Sequence, residues 1–516
     1  MAGLLCDGPT GLYLSCLDPR TAAEVAQVPV QALELVGDRV QQAREAGLAW
    51  RERPLAARKQ AVAALHQAFL EAGPRIVALL AEECGRPAGE AWTSEVVANH
   101  DLFQWWLSQI DDLLISLPLD LSPINYPRKT GRVQLDAVGV IGLISPWNLP
   151  VAIPLRAIVP ALLAGNAVVW KPSEHSPRTA ELLLELMRGC LPEGLVQVVQ
   201  GDGRWGQAVI DAGVDAVFFT GSVRTGRAVN LRCAERFLPC SLELGGKDAA
   251  IVLADADLDR AVEGIAWAAF AFGGQNCAAI ERCFVHASIY PSFLAKLKAR
   301  VERLRPLRDV GPLITPAQLA LVQEHVAEAL AGGATLVCGG GAPGPGWFHE
   351  PTVLADVSPT MRLMREESFG PLLPIRSFDD LDEAIRLADE TPYALTASVW
   401  TRDLDLGETI GLGLRAGVVT VNNHAFTGAL PQGTWGGPGE TGGGVTNSRF
   451  ALYHMVRPRT VVVDALSQPH EMWWFPYNEA LERLSRGLIE LQREGGAKLP
   501  GLRGALSGFT ARWKDL

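Results

Sequence analysis

The stretch VGVIGLISPWNLPVAIPLRAIVPALLAGNAVVWKPSE, residues 138–174, decides the fold class of this chain. It holds two short apolar runs joined by a proline-rich loop and a longer apolar segment, with Arg156 as the only charge before Lys171. Because prolines interrupt the tract at 146, 150, 154 and 160, we do not expect an unbroken membrane-spanning helix. The stretch predicts a buried strand, a loop, a helix and a second strand.

The same alternation continues beyond this stretch. AVVWK, VQVVQ, AVFFT and SLEL predict strands, and helices are predicted near 154–163, 178–188, 204–211 and 224–236. A second such series spans 249 to about 422, and apolar residues at helical spacing predict packing helices between about 30 and 110. Repeated β-α-β units predict mainly parallel, doubly wound sheets, with ligands bound at the carboxyl ends of the strands.

Length and composition narrow the class of protein. A chain of 516 residues is long enough for two or three domains. Its formal net charge of -11, with scattered basic residues, argues against a nucleic-acid partner. The nine cysteines form no CxxC pair, so neither a disulfide framework nor a metal site is expected, and a reducing cytoplasm fits best. The first residues lack the pattern of a signal peptide.

Two strand ends carry groups suited to catalysis. ISPWNLP places Trp147 and Asn148 between prolines that stiffen the loop, and a fixed side-chain amide is a good oxyanion donor. SLELGGK places Glu243 before two glycines, where a carboxylate has the access that a general base needs. Taken singly, an asparagine such as Asn148 would more often be a turn residue.

Two further strand ends carry groups suited to a nucleotide. WKPSE offers Lys171 and Glu174, which could hold ribose hydroxyls or form a solvated pair of little consequence. FTGSVRTG offers Gly221, Ser222 and Gly226 at the start of a helix, where backbone N–H groups favour a phosphate, although a plain capping turn would look the same.

GDGRWG, residues 201–206, matches the GxGxxG pattern but is a weak signal. The next strand, AVFFT, ends without the acidic residue that holds the ribose in the Rossmann fold. We therefore interpret Gly201, Gly203 and Gly206 as turn and packing glycines.

A candidate nucleophile lies in FAFGGQNCAAIERC, residues 270–283. Cys277 follows Gly273, Gly274 and an amide pair, so its thiol is expected in an open turn beside dipoles or a base. The alternative is a buried structural cysteine, which is our interpretation of Cys283.

The tail beyond residue 465 differs in composition from the rest of the chain. It opens with the aromatic cluster EMWWFPY and continues with Leu481, Leu484, Leu488 and Leu491 at helical spacing. This stripe predicts a helix docked in the core or against another subunit, or alternatively a surface for a partner.

From about Ala43 to Val463 the sequence resembles the aldehyde dehydrogenase superfamily. The motifs SPWNLP, WKPSE, FTGSVRTG, ELGGK, FGGQNCAAIER, EESFGP and LTASVW occur in the family's order. The resemblance implies an NAD-binding domain at 1–121 and 134–243, a catalytic α/β domain at 244–422, and an oligomerisation element at 122–133 and 423–464. Residues 465–516 form a predicted C-terminal helical extension.

The resemblance also implies roles for individual residues. Cys277 corresponds to the nucleophile, Glu243 to the general base and Asn148 to the oxyanion donor. Cofactor-binding positions include Lys171 and Glu174 for the adenosine ribose. The remaining implied cofactor contacts are Ser222, Gly221, Gly226, Trp147, Glu367 and Phe369.

Two residues depart from the usual family pattern near the substrate. Leu149 stands where many members have an aromatic residue after the asparagine. Arg156 stands where a tunnel residue is expected, and it could bind a substrate carboxylate or form a loop or subunit salt bridge.

The resemblance implies oxidation of an aldehyde to its carboxylic acid with NAD+, or NADP+, through a cysteine thiohemiacetal and thioester. The alternatives are a CoA-acylating semialdehyde dehydrogenase and a catalytically idle member kept for binding or structure. Glu174 favours NAD+, since its carboxylate would repel a 2′-phosphate. A cytoplasmic homodimer or homotetramer acting on a small-molecule aldehyde is expected.

Overall fold

The structure is a computed structural model that describes residues 4–8, 11–123, 125–344, 346–465, 469–495 and 498–515. The predicted arm and C-terminal extension therefore lie partly outside the described residues, at 124, 466–468, 496–497 and 516. The chain forms two compact units: unit 1 comprises residues 1–115 and 135–458, and unit 2 comprises 116–134 and 459–516. Residues 423–458, grouped with the oligomerisation arm from the sequence, pack within unit 1.

The N-terminal part begins with a three-stranded antiparallel sheet and continues with helices. The strands are β1 Leu5–Gly8, β2 Gly11–Asp18 and β3 Ala23–Pro29. The helices are α1 Val36–Arg51, α2 Leu55–Glu71, α3 Gly73–Glu83, α4 Ala88–Ala91, a π-helical turn at Trp92–Val97, and α5 Ala98–Leu113. The helices match the prediction for residues 30–110, whereas the sheet was not predicted.

The middle of the chain alternates strands and helices as the sequence predicts. After β4 Leu117–Pro118 and β5 Lys129–Ala137 come β6 Val140–Ile144, α6 Ala152–Ala164, β7 Ala167–Lys171, α7 Pro177–Cys190, β8 Val196–Val198, α8 Gly203–Asp211, β9 Ala216–Thr220, α9 Val223–Ala234 and β10 Cys240–Glu243. No helix among the described residues, this apolar tract included, is long and apolar enough to cross a membrane.

The second series follows directly. Its elements are β11 Asp248–Val252, α10 Leu258–Phe270, β12 Ile280–His286, α11 Tyr290–Val301, α12 Pro316–Ala331, β13 Thr335–Cys338, β14 Thr352–Ala355, α13 Arg362–Arg365, β15 Leu372–Phe378, α14 Leu381–Asp389, β16 Thr396–Trp400, α15 Leu404–Gly413 and β17 Val418–Val421. The chain then runs through β18 Gly442–Gly443, α16 Ser448–Leu452, β19 Val456–Asp464, α17 Glu479–Gln492 and α18 Lys498–Asp515.

Two sheets organise unit 1. The six-stranded sheet has the order β18-β10-β9-β6-β7-β8, in which only β18 is antiparallel to its neighbour. The seven-stranded sheet has the order β13-β14-β15-β12-β11-β16-β17, in which only β13 is antiparallel. The predicted doubly wound, mainly parallel arrangement is confirmed. Because parallel strands share their carboxyl edge, the turns after β6, β7, β9 and β10 lie along one edge of the first sheet.

Burial explains why these strands were predictable from sequence. The strand β7, AVVWK, is buried at every residue, as is usual for a parallel strand covered by helices on both faces. The second sheet has separate apolar clusters that contain Ile251 and Phe284 in one and Val252 and Cys283 in the other. Since side chains alternate between the two faces of a strand, these clusters are the two helix-covered faces.

Candidate active site

The loop that carries Cys277 is held in a tight backbone conformation. Phe272, Gly273 and Gly274 have φ values of +60°, +63° and +70° in succession. A side chain at Gly274 would place its Cβ 2.1 Å from the carbonyl oxygen of Gly370. The glycine is therefore required by close approach as well as by conformation, and the turn delivers Cys277 just before β12.

Gln275 fixes this loop from within. Its Nε2 donates to the carbonyl oxygens of Phe272 at 2.9 Å and Pro312 at 3.1 Å, and its Oε1 accepts from the backbone N–H of Ile314 at 2.9 Å. The side chain is buried, so all three bonds form away from solvent. The amide predicted as a dipole beside the thiol is instead a clamp for the backbone.

Cys277 is half-buried and its Sγ lies 3.7 Å from the Oδ1 of Asn276. Burial raises the pKa of the thiol above its usual range, the Glu243 carboxylate raises it further, and the Arg156 guanidinium acts in the opposite direction. The protonated thiol is favoured because a thiolate loses hydration there and faces a carboxylate. Cys277 therefore reacts as a nucleophile only after its proton is removed.

Glu243 carries a carboxyl group whose pKa suits a general base. It ends β10, accepts a hydrogen bond from the Thr446 hydroxyl and is almost fully buried. Burial raises its pKa to about 7, while Thr446 and Arg156 act to lower it. A Cβ at Gly246 would lie 2.7 Å from the Cys277 carbonyl oxygen, so the ELGGK turn packs directly against the cysteine loop.

Asn148 is buried beside the same loop. Its Nδ2 donates to the carbonyl oxygen of Gln275 at 3.2 Å, two residues before Cys277. The backbone carbonyl oxygen of Asn148 accepts a hydrogen bond from Arg86 Nη2. Arg86 Nη1 donates to Glu95 Oε1 at 3.0 Å. The structure therefore brings together the three side chains that the sequence proposed for catalysis.

A buried charged cluster that the sequence did not predict supports these loops. Glu95 Oε2 accepts from the backbone N–H of Ala152, and Glu90 Oε2 from that of Phe272, both at 2.7 Å. The Arg86 guanidinium lies 5.0 Å from the centre of the Phe272 ring. Burial raises the pKa of both glutamates and Arg86 opposes it. The available signal was three charges within a short segment of otherwise small and apolar residues, which was interpreted as packing helix.

The adenosine-ribose candidates form a pair at the end of β7. Lys171 is buried, and its Nζ donates to Glu174 Oε2 at 2.9 Å. Burial alone would raise the pKa of Glu174, but Lys171 and His175 bring it below its usual value. The Glu174 carboxylate is thus favoured at the open end of the sheet, and the pair offers the donors and acceptors that sugar hydroxyls need.

The turn after β9 is a capped helix start. Ser222 is the N-cap of α9 and its Oγ accepts from the backbone N–H of Thr225 at 3.4 Å. Gly221 N donates to the Glu243 carbonyl at 3.0 Å, and a Cβ at Gly226 would lie 2.4 Å from Leu244. Ser222 therefore caps α9, as the alternative interpretation of this turn proposed. The N-terminus of α9 lies at the carboxyl edge of the six-stranded sheet, where a pyrophosphate would bind.

Glu367 and Phe369 complete the candidate cofactor contacts. Glu367 Oε1 accepts from Gly246 N at 3.1 Å, and burial, with the nearby Glu281, raises its pKa to about 8. Phe369, at a φ of +45°, meets the ring of Trp147 edge to face at 5.6 Å between centroids. The carboxyl, cation and helix-start groups together fit the ribose hydroxyls and phosphates of a nicotinamide dinucleotide.

GDGRWG does not form a nucleotide fingerprint. Asp202 caps α8 by accepting from the backbone N–H of Arg204, and Gly201 has a φ of +145° with Trp205 packed against it. These contacts match the interpretation of its glycines as turn and packing residues.

A cavity of about 890 Å³ reaches both Cys277 and Glu243. Its volume is in the upper part of the range typical of small-molecule sites. Much of its wall is apolar, formed by Leu149, Ile153, Trp267, Phe270, Phe426 and Trp435. The exposed residues Arg303, Arg305 and Arg308 line its solvent-facing part.

Arg156 also lines this cavity. It forms no hydrogen bond or ion pair with any residue that the structure describes, so the loop salt bridge considered from sequence is not seen there. Burial lowers the pKa of Arg156, while Glu243, Cys277 and Glu95 raise it. The guanidinium is a half-buried positive charge facing the two groups proposed for catalysis.

The fold and the site define an NAD(P)+-dependent enzyme that oxidises an aldehyde to the carboxylic acid through a cysteine thiohemiacetal and thioester. A sequence profile of the aldehyde dehydrogenase family matches residues 9–461, so the chain belongs to the aldehyde dehydrogenase family. It has the α/β fold of that family.

Three similar proteins illustrate the relationship. A 4,4′-diapolycopene aldehyde oxidase of Methylomonas sp is 35% identical over 98% of this chain and 98% of its own. An aldehyde dehydrogenase of Mycobacterium tuberculosis, solved with NAD+, superposes with a TM-score of 0.83 at 33% identity, over 88% of this chain and 95% of its own. An NADP-dependent enzyme of E. coli has a TM-score of 0.84 at 30% identity, over 89% and 96%.

Proposed function

We propose that Cys277 is the nucleophile, Glu243 the general base and Asn148 the oxyanion donor of this enzyme, and that its substrate is a long, mainly apolar aldehyde. The observation that carries the proposal is a single cavity with apolar walls that reaches both the Cys277 thiol and the Glu243 carboxyl. The contact of Asn148 with the cysteine loop supports its part.

The acylation half of the mechanism follows from this geometry. Cys277 Sγ gives up its proton to solvent water and forms a bond to the aldehyde carbon, while the carbonyl π electrons move to the oxygen, which becomes an oxyanion. Asn148 Nδ2 and the Cys277 backbone N–H donate to that oxygen, a stabilisation worth about 2.7–4 kcal/mol per donor in a well-formed site. The bound nicotinamide supplies the hydride acceptor.

The deacylation half is assigned to Glu243. With a pKa of about 7, its carboxyl is partly ionised near neutral pH and can accept a proton from water that attacks the thioester. Such a base favours water over CoA as the acyl acceptor, which makes the CoA-acylating alternative the weaker one. An idle family member would have no need to keep Cys277 and Glu243 at one cavity and Asn148 bonded to the cysteine loop.

The cofactor contacts are proposed as the resemblance implies. Lys171 and Glu174 hold the adenosine ribose, Ser222 and its turn the pyrophosphate, and Glu367 with Phe369 the nicotinamide ribose. Gly221, Gly226 and Trp147 shape the surface around them. The negative charge that Lys171 preserves on Glu174 favours NAD+ over NADP+.

The substrate class rests on cavity size and wall chemistry. The relative that matches 98% of this chain is named as an oxidase of 4,4′-diapolycopene aldehyde. The cavity here offers an apolar wall of aromatic and aliphatic side chains ending at the thiol. Burial of each apolar group along such a wall adds to affinity in proportion to the area removed from water.

An aldehyde panel tests this proposal. Steady-state reduction of NAD+ and NADP+ is measured with a series of linear alkanals of increasing length, a polyene aldehyde, betaine aldehyde and succinate semialdehyde. We expect kcat/KM to rise with apolar length and to be lowest for the two charged aldehydes. A preference for either charged aldehyde contradicts the substrate class, and reduction that requires CoA contradicts the assigned reaction.

The assembly is part of the same proposal. We infer a cytoplasmic homodimer or homotetramer, with residues 122–133 and 423–464 forming the oligomerisation element, 1–121 and 134–243 binding the cofactor, and 244–422 carrying the nucleophile. Light scattering coupled to gel filtration measures the mass of the assembly.

A further inference from the structure

The C-terminal tail exposes an ordered apolar surface. On α18, Leu499, Leu502, Leu506, Phe509 and Trp513 recur at intervals of three and four residues, and their exposed fractions run from 44% to 71%. This spacing places them on one stripe of the helix. Phe509 and Trp513 stack with ring centroids 6.0 Å apart.

Residues outside this stripe pack α18 against α17. Gly501, Ala505 and Gly508 are buried, and a Cβ at Gly508 would lie 2.3 Å from the backbone of Leu484. Small residues let the two helices approach closely along this face. The apolar stripe is therefore not needed for the helix hairpin, and its side chains are exposed in the part of the chain that the structure describes.

A loop of aromatic residues beside α18 extends this surface, and a buried arginine of α18 holds the loop in place. Arg512 is fully buried and donates to the carbonyl oxygens of Met472 at 3.1 Å, Pro476 at 2.6 Å and Trp474. The loop is thus fastened by its backbone to α18. Its side chains point away from that anchor: Trp474, Phe475 and Tyr477 are 57%, 75% and 71% exposed.

Helix α18 carries more basic than acidic residues, although the chain as a whole is acidic. Helix α18 contains Lys498, Arg503, Arg512 and Lys514 against one acidic residue, Asp515, in a chain with a formal net charge of -11. Arg503 and Lys514 are exposed and fall beside the stripe on the helical wheel. Apolar residues flanked by cations suit a surface that is apolar beneath an anionic layer.

We propose that the tail apolar surface, formed by the α18 stripe and the Trp474–Tyr477 loop, docks on the interfacial region of an anionic lipid bilayer. The leucines and phenylalanines insert among acyl chains, the tryptophans and Tyr477 lie at the headgroup level, and Arg503 and Lys514 pair with lipid phosphates. Docking of this kind requires no membrane-spanning helix.

A second copy of the chain suits this surface less well. Pairing two α18 stripes would bring their flanking cations together, whereas anionic headgroups neutralise them. The proposal stands on the tail alone and holds whichever aldehyde the enzyme oxidises.

Vesicle flotation of the full-length protein tests the proposal. Vesicles of phosphatidylcholine alone are compared with vesicles that contain about 30% phosphatidylglycerol, at low and high salt. We expect flotation with the anionic vesicles, weakened by salt. The triple variant Leu502→Glu/Phe509→Glu/Trp513→Glu should bind at least about tenfold more weakly, because each change removes a buried apolar side chain from the interface.

Two further variants separate the contribution of the tail surface from other effects on flotation. Phe237→Glu/Leu412→Glu alters two apolar residues of unit 1 that are 95% and 82% exposed, and it should float like the wild type. Arg503→Gln/Lys514→Gln should lose only the preference for anionic vesicles. Turnover of a water-soluble aldehyde and the melting temperature show that each variant is folded.

Three results would overturn the proposal: no flotation of the wild type, undiminished flotation of the triple variant, or a smaller assembly mass for the triple variant in light scattering. The last would identify the surface as a contact between copies.

Discussion

The Arg86 guanidinium bridges the backbone carbonyl of Asn148 and the buried carboxylate of Glu95. Arg86 thus positions the loop that carries the proposed oxyanion donor, although Arg86 does not itself lie at the end of a strand. Both Arg86 and Glu95 are nearly fully buried, so each charge depends on the other.

Replacing Arg86 with Met should destabilise the protein by about 3 kcal/mol, because Glu95 loses its ion-pair partner in the interior. Urea unfolding measures the change. The double variant Arg86→Met/Glu95→Gln should recover part of the loss, since the neutral amide can still accept from Ala152 N. A single variant within about 0.5 kcal/mol of the wild type, the range of ordinary surface changes, would show that the pair does not act as described.

Cys277→Ala should abolish aldehyde oxidation, a loss of at least about a thousandfold, while NAD+ binding measured by fluorescence persists. Cys283→Ala is the matched control. Cys283 is fully buried in β12 among apolar residues, so its removal should cost about 1 kcal/mol of stability and leave turnover near normal. Wild-type turnover in Cys277→Ala would mean that another group is the nucleophile.

The local sequence pattern was sufficient to predict the strands, but it did not reveal the residues that hold the catalytic side chains in place. AVVWK and AVFFT coincide with β7 and β9 because fully buried parallel strands are continuous apolar runs. The strand Gly11–Asp18 was missed because its pattern depends on pairing with two neighbours. Thr446 was missed because its partner Glu243 is distant in sequence, and no local signal marks a residue whose role is a long-range contact.

Glu174→Gln should weaken discrimination against NADP+ by about tenfold, because it removes a carboxylate that would repel the 2′-phosphate. The ratio of kcat/KM for the two cofactors measures this. Glu185→Gln in α7, the helix that follows the Glu174 turn, removes an exposed charge paired with Arg75 and should leave the ratio unchanged. An unchanged ratio in Glu174→Gln would place the origin of cofactor preference elsewhere.

Arg156→Met should shift the pH dependence of turnover upward. Arg156 lowers the pKa of Glu243, so its loss should raise that pKa above about 7 and require a higher pH for the ionised base. The profile is measured with a neutral alkanal. The same variant is then compared on succinate semialdehyde: a loss confined to that substrate, with no shift in the profile, would instead identify Arg156 as the site of a substrate carboxylate.

Glu243→Gln tests the order of events at the thiol. If the carboxylate acts on water, hydride transfer precedes its step, so a pre-steady-state burst of reduced cofactor should persist while steady-state turnover falls by about 10²–10⁴. The wild-type steady-state rate should rise as pH increases through about 7, because deprotonation creates the active base, and this limb should vanish in the glutamine variant. The ionised carboxylate also raises the pKa of the Cys277 thiol, so alkylation by iodoacetamide at fixed pH should be faster in Glu243→Gln. Loss of the burst together with slower alkylation would show that Glu243 acts earlier, as the base that activates the thiol.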